Sequence, residues 1–259
     1  MKLRRIGLAL VGAVLLSCAV VLSCAGRVSA EQVTLQWDPA LSSITLDGLF
    51  NGLSLTEQGA GSKTAFFSGN ILVDADNLLA PSSITLLGGP ATASVTGSWL
   101  PEAGGGPAAG DPGANQDANY GLQLNGGALG NAYAAVRGLV YDITSGTEAV
   151  AGGSFASTQS LTVTSGFFDT NLPPAFASPP NRDDLTGDVI VNASAAMSTY
   201  SVSGNVATLT IPIEISDPGS LTINYTGRLV ATGTVPEPAT GLLALVCGCA
   251  ALQLCRRVA

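Results

Sequence analysis

The chain has 259 residues, a formal net charge of -8, five cysteines and no histidine. The lack of histidine removes Ser-His-Asp and Cys-His chemistry in its ordinary form, and the commonest metal ligand with it. Between positions 31 and 234 the only basic residues are Lys63, Arg137, Arg182 and Arg228, which argues against nucleic acid as a partner, because phosphate contact needs a basic surface.

Residues 1–30 have three zones: cations at Lys2, Arg4 and Arg5, an apolar run over 6–22, and a more polar stretch ending Val28-Ser29-Ala30. This order predicts a signal peptide cut between Ala30 and Glu31 by a signal peptidase. The run exceeds the roughly 7–15 residues usual for such a segment, so an uncleaved N-terminal anchor stays open. A third reading also stands, since Leu22-Ser23-Cys24-Ala25 looks like a lipobox in which Cys24 would be acylated. All five cysteines fall in the terminal segments (Cys18, Cys24, Cys247, Cys249, Cys255), so the part between must stand on its apolar core without disulfides.

From residue 31 onward the pattern is one of strands. Residues 33–37, 64–75, 83–87, 91–99, 132–143, 160–164, 188–193, 198–203, 207–215 and 221–231 are predicted strands, the clearest alternating apolar and polar with period two. Residues 132–141 can also be read as a helix. Turns are expected at Leu87-Gly88-Gly89-Pro90, Ser203-Gly204-Asn205 and Asp217-Pro218-Gly219. Two stretches, 101–119 and 171–187, read as long surface loops, being rich in Gly and Pro or in Asx residues. About ten to thirteen strands with short turns predict an all-β fold: one β-sandwich or jelly-roll-like domain over 31–234. Phe67-Ser68-Gly69 is echoed by Tyr225-Thr226-Gly227, each followed by a polar residue and an apolar run; two equivalent strands with glycine at a bulge or close approach would produce this, and so would chance, since these residue classes are common in all-β chains.

The C-terminal segment, 235–259, has its own order. Val235-Pro236-Glu237-Pro238 is followed by an apolar stretch over 241–255 and by Arg256 and Arg257. The prolines hold the motif extended and forbid helix before residue 239. A helix over 239–255 would rise about 25 Å at ~1.5 Å per residue, enough for one slightly short membrane pass. Arg256 and Arg257 would stop transfer and stay inside. This arrangement resembles the PEP-CTERM sorting tails, over about the last 25 residues. The resemblance implies recognition by an exosortase-like membrane protease that cuts near Pro-Glu-Pro, an inner-membrane-anchored precursor, and a mature domain at the cell envelope or outside it, in company with exopolysaccharide.

Other constellations are weaker. Asn115, Asp117 and Asn119 place oxygen side chains at alternate positions, as a calcium site would, but the EF-hand order fails, and turn building accounts for them as well. Asp74-Ala75-Asp76-Asn77 is a similar cluster. No cofactor is expected apart from this calcium option. Paired carboxylates of a glycoside hydrolase could be sought among Asp183, Asp184, Asp188, Glu148 and Glu214, yet no spacing singles out a pair. Trp37, Trp99, Tyr120, Tyr133 and Tyr141 read as core by default. Arg137, inside an apolar strand pattern, is expected to hold a structural ion pair. The leading expectation is a non-catalytic surface or matrix protein; the alternative is a secreted carbohydrate-binding or carboxylate-dependent carbohydrate-active protein.

Overall fold

A computed structural model describes residues 31–50, 53–104, 116–173, 180–217 and 221–236. Its strands assemble into eight ribbons, several of them interrupted. The first ribbon is β1 (Glu31–Trp37) continued by β2 (Ser43–Phe50). The second is β3 (Leu53–Ser54), β4 (Thr56–Glu57) and β5 (Thr64–Ala75). The third begins with β6 (Ser83–Ala93), leaves the wall as the hairpin of β7 (Gly97–Trp99) and β8 (Gln116–Ala118), and resumes as β9 (Tyr120–Asn125). Strand β10 (Asn131–Ala149) is the fourth, and β11 (Ser154–Phe155) with β12 (Ser160–Asn171) the fifth. The sixth joins β13 (Asn181–Asp184), β14 (Val189–Val191) and β15 (Ser198–Ser203). The seventh is β16 (Val206–Asp217) and the eighth β17 (Leu221–Thr234).

Each ribbon is antiparallel to the next in the chain, and β17 returns to the first, pairing with β2 from Leu221↔Phe50 to Arg228↔Ser43 and with β1 at Gln36↔Thr232 and Trp37↔Ala231. The fifth and sixth ribbons meet along their length: Thr170↔Asn181, Leu161↔Ile190 and Phe155↔Ser198 are in register, and the Asn192 amide donates to Gln159 O at 2.8 Å between the last two. The sixth meets the seventh through β15 and β16, and through Ala193 N to Glu214 O. The wall is therefore an up-and-down ring. Its opposite sides pack across the core as the faces of a sandwich do, but consecutive ribbons are neighbours throughout, so the order is a meander without the Greek-key crossing of a jelly roll. Glu31 and Val235 lie at one end, called upper here; the paired strand ends Phe50↔Leu53 and Asp217↔Ile223 lie at the other.

Alternation explains the layering. The inward row of the upper half is Leu35, Ile71, Val73, Leu86, Ile143, Leu209, Ile211 and Leu229, all essentially inaccessible. The outward positions of the same strands are largely Thr, Ser, Gln and Asn. Leu78, from the β5–β6 turn, plugs this end, and its carbonyl accepts the Tyr200 hydroxyl at 3.1 Å. Burial, with Glu31 second, pushes that phenol up to about 12.

Where a ribbon is interrupted, a buried polar side chain replaces the missing backbone partner. Between β1 and β2, Ser42 Oγ donates to Val230 O and accepts from Val230 N. Between β4 and β5, Ser62 Oγ accepts from Gln58 N and donates to Gly121 O. Where β6 gives way to β9, the Asn119 amide group donates to Ala93 O and Ser94 O while its oxygen accepts Leu139 N. Asn192 does the same beside β16, donating to Pro212 O and accepting from Glu214 N.

Several expectations need correction. Leu87-Gly88-Gly89-Pro90 is not a turn but a bulge inside β6, stabilised by Gly89 N donating to Asp142 Oδ1 at 2.6 Å. The strand expected over 132–143 is present, within β10, so the alternative helix over 132–141 falls; 132, 136, 139 and 141 turn into the core. The stretch read as a loop over 171–187 contains β13, and the one over 101–119 contains β8. The echo of β5 in β17 is structural: a Cβ on Gly69 would overlap Pro90 O, and one on Gly227 would overlap Ser43 O, so both glycines sit where a neighbouring carbonyl crowds the strand. The signal segment and the 239–255 helix lie outside the described residues; among those described, no helix is long and apolar enough to cross a membrane.

Candidate functional site

The expected sorting motif starts where the barrel ends. Val235 is buried, its amide donating to Asn205 O at 2.8 Å, whereas Pro236 is exposed. Glu237, Pro238, Arg256 and Arg257 lie outside the described residues, as does Ala30; Glu31 is the first residue of β1, opposite Ala75. The two predicted processing points thus flank the same end of the ring.

Two of the three residues of the calcium constellation are described. Asn119 spends both ends of its side chain on the wall, Asp117 accepts from Ser98 Oγ at 2.9 Å across the β7–β8 hairpin, and Asn115 lies outside the described residues. Asp76 builds the β5–β6 turn, accepting the amides of Asn77, Ser82 and Ser83 and the Ser82 hydroxyl. The Ser82 hydroxyl first, then the Ser83 amide, hold its carboxyl below the ordinary value. Among the described residues no group of three or more acidic or thiol side chains is placed to hold a metal ion.

The candidate carboxylates are dispersed. Glu148 stands at the upper end of β10, opposite Ile84, and accepts Thr158 Oγ1. Glu214 is on the outer face of β16, and Asp184 accepts Thr186 N in the turn after β13. Asp183 and Asp188 face two different cavities. Of the aromatic residues, Trp37, Tyr120 and Tyr141 are core; Tyr120 donates to Ile44 O, and Phe67 and Tyr141 stack with centroids 6.0 Å apart. Trp99 lies over Gly59, Gly97 and Gly121, where any Cβ would collide with the indole, and donates to Thr96 Oγ1.

Arg137 holds the ion pair expected of it. Its Nε donates to Asp169 Oδ2 at 2.9 Å, and Arg182 donates to both oxygens of the same carboxylate, at 2.7 and 2.8 Å. Arg137 also donates to the carbonyls of Asp117, Trp99 and Pro101, and Gly104 N donates to Asp169 Oδ1. The cluster clamps the β7–β8 excursion to the outside of β10 and β12. Burial alone would raise the Asp169 carboxyl, but Arg182, the Gly104 amide and Arg137 outweigh it and hold it below the usual range. Arg182 in turn lies over the Phe167 ring at 4.6 Å. Arg137 uses Nε, Nη1 and Nη2 within the fold, and Arg182 grips the same carboxylate through Nε and Nη2, so the cluster reads as a clamp.

The lower lumen is different. There the ring is not filled: a cavity of about 700 Å³ is walled by Val136, Leu139, Tyr141, Val163 and Phe168 on one side and by Leu46, Ile215, Ile223 and Tyr225 on the other. It reaches a seam between the sixth and seventh ribbons. Below the Ala193–Glu214 bond no pairing joins β14 to β16 among the described residues, and residues 188–191 and 215–216 border the cavity. Ile190, opposite buried Leu161, turns inward; Val189 and Val191, opposite Thr162 and Ser160, turn outward and are 59% and 57% exposed. A smaller cavity of about 240 Å³ lies beyond Phe168, beside Leu55, Leu122 and Leu124. Nothing in the sequence marked this lumen.

Compared with protein families, with curated proteins and with solved structures, the chain matches none.

Proposed function

We propose that this is an exported, non-catalytic surface domain, a sandwich-like β-barrel made as a membrane-held precursor and sorted through its Val235-Pro236-Glu237-Pro238 tail by an exosortase-like protease. The observation that carries the reading is the sequence of events after the last strand. Val235 is, among the described residues, the last one anchored in the barrel, the exposed Pro236 follows at once, and the apolar stretch and the arginine pair come next in the chain. A protease site held straight by two prolines and set directly against a folded wall is accessible without any unfolding. The polar outer face and the absence of cysteine between 31 and 234 suit an envelope protein that does not depend on oxidative folding. Dispersed carboxylates and the absence of histidine support a role in coverage or cohesion, with exopolysaccharide as the expected companion. With Glu31 and Val235 at the upper rim, the lower half of the barrel would point away from the membrane.

The test is the mature C-terminus, read by intact mass in the native host. The expected result is a terminus near Glu237 in wild type and a retained tail in Glu237→Ala. A chain still ending at Ala259 in both would leave a plain tail anchor and defeat the proposal.

A further inference from the structure

One barrel contains two differently treated halves. In the upper half, leucine, isoleucine and valine meet across the axis and leave the inward row inaccessible. In the lower half the same residue types, with Tyr141, Phe168 and Tyr225, line a cavity of about 700 Å³. Protein interiors ordinarily keep few voids larger than a water molecule, and this volume falls in the range of small-molecule sites, which favour the mouths of β-barrels. The cavity also has an entrance. Among the described residues the wall stops between β14 and the lower part of β16, and the outward-turned Val189 and Val191 flank that gap with apolar surface.

We propose that the lower lumen binds a neutral, largely apolar small molecule, an alkyl, terpenoid or aryl body with no more than a hydroxyl or carbonyl head, admitted through the seam between β14 and β16. The charge of the head follows from the lining. Its polar members are Asp188, Ser216 and the two phenols, and no lysine or arginine is among them, so a carboxylate or phosphate head would meet an acidic border with no cation to neutralise it. Burial, then the neighbouring Tyr225 and Tyr120, push the Tyr141 phenol well above its ordinary value, so it stays protonated and able to donate to an oxygen on the ligand. A bare alkane would forgo that bond; a fatty acid would be repelled. The proposal does not depend on how the tail is processed.

The test uses the full chain in detergent and two photoreactive probes of equal length, a long-chain alcohol and the matching fatty acid, each carrying a diazirine. Labelled peptides are mapped by mass spectrometry. The alcohol is expected to label the peptides around Leu139, Val163 and Ile190 saturably, and about tenfold more than the acid, a difference near 1.4 kcal/mol. Val163→Trp, which fills the lumen, is expected to abolish that labelling, while Thr162→Trp, its outward neighbour, leaves it intact. Asp188→Lys is expected to raise labelling by the acid. Melting curves identify any variant that fails to fold; should Val163→Trp do so, Leu139→Phe is the substitute. Labelling that does not saturate, that is unchanged in the folded filled variant, or that favours the acid would overturn the proposal. So would cross-links between copies running along β14 and β16 without lumen labelling, which would make the seam an interface.

Discussion

Ser42 Oγ lies 2.9 Å from both the carbonyl oxygen and the amide nitrogen of Val230, donating to one and accepting from the other, 188 positions along the chain. One hydroxyl thus completes the edge of β17 where β1 has ended and β2 has not begun. Ser42→Ala would leave the Val230 amide buried and unmatched, and its carbonyl with the Asp38 amide alone. We expect a loss of roughly 1–3 kcal/mol, read from urea melts, with the denaturant slope unchanged. A loss within error of zero would mean that the gap is filled in some other way.

The clamp on Asp169 makes a second prediction. Asp169→Asn would leave Arg137 charged, largely buried and short of its counter-ion, a situation that costs about 3–5 kcal/mol in comparable pairs. Hydrogen exchange should quicken first at the β7–β8 hairpin, because Arg137 also holds the carbonyls of Trp99 and Asp117. The pH dependence has a definite sign. A carboxyl depressed in the folded state contributes stability that is fully present above its unfolded value, near ~3.9, and is lost as pH falls through the lower folded value. Wild type should therefore lose stability on acidification more steeply than Asp169→Asn; parallel curves would remove Asp169 from the account.

At the alkaline end, Tyr200 is the group to follow. Its folded value is raised to about 12, so the stability it contributes is present below the unfolded value of ~10 and lost as pH rises through the folded one. Unfolding followed between those limits should be flatter in Tyr200→Phe than in wild type, on top of about 1 kcal/mol from the lost bond to Leu78 O. An unchanged slope would show that the phenol does not ionise only on unfolding.

The sequence was readable where one face of a strand is apolar without a break. The ends of β5 and β15 fall where the alternation places them, because every second residue meets the core. Strand β2 was passed over because its third inward position is Gly48, whose space is taken by Leu55, so the apolar rhythm lapses. Strand β13, Asn-Arg-Asp-Asp, has no apolar face at all and is held by its ladder to β12 and by the bond from Arg182 to Asp169. The need of Arg137 for a carboxylate was legible from its apolar surroundings, but not that Asp169 supplies it, since the β10–β12 register brings together residues 32 apart. The lumen was invisible for a deeper reason. It arises from what two ribbons fail to do, and periodicity within one strand carries no information about a missing neighbour.

The position of Val235 also has a mechanical meaning. A pull entering there, directed along the ribbons toward the lower end, runs lengthwise through β17, whose twelve register pairs with β16 extend from Val206↔Thr234 to Asp217↔Ile223. Such a load is shared by all those rungs at once and cannot open them one by one. A chain tethered by its tail would resist drag as a dowel resists being drawn from a joint, yet the same chain tugged by Glu31 and Val235 in opposite directions would begin to peel at the rim.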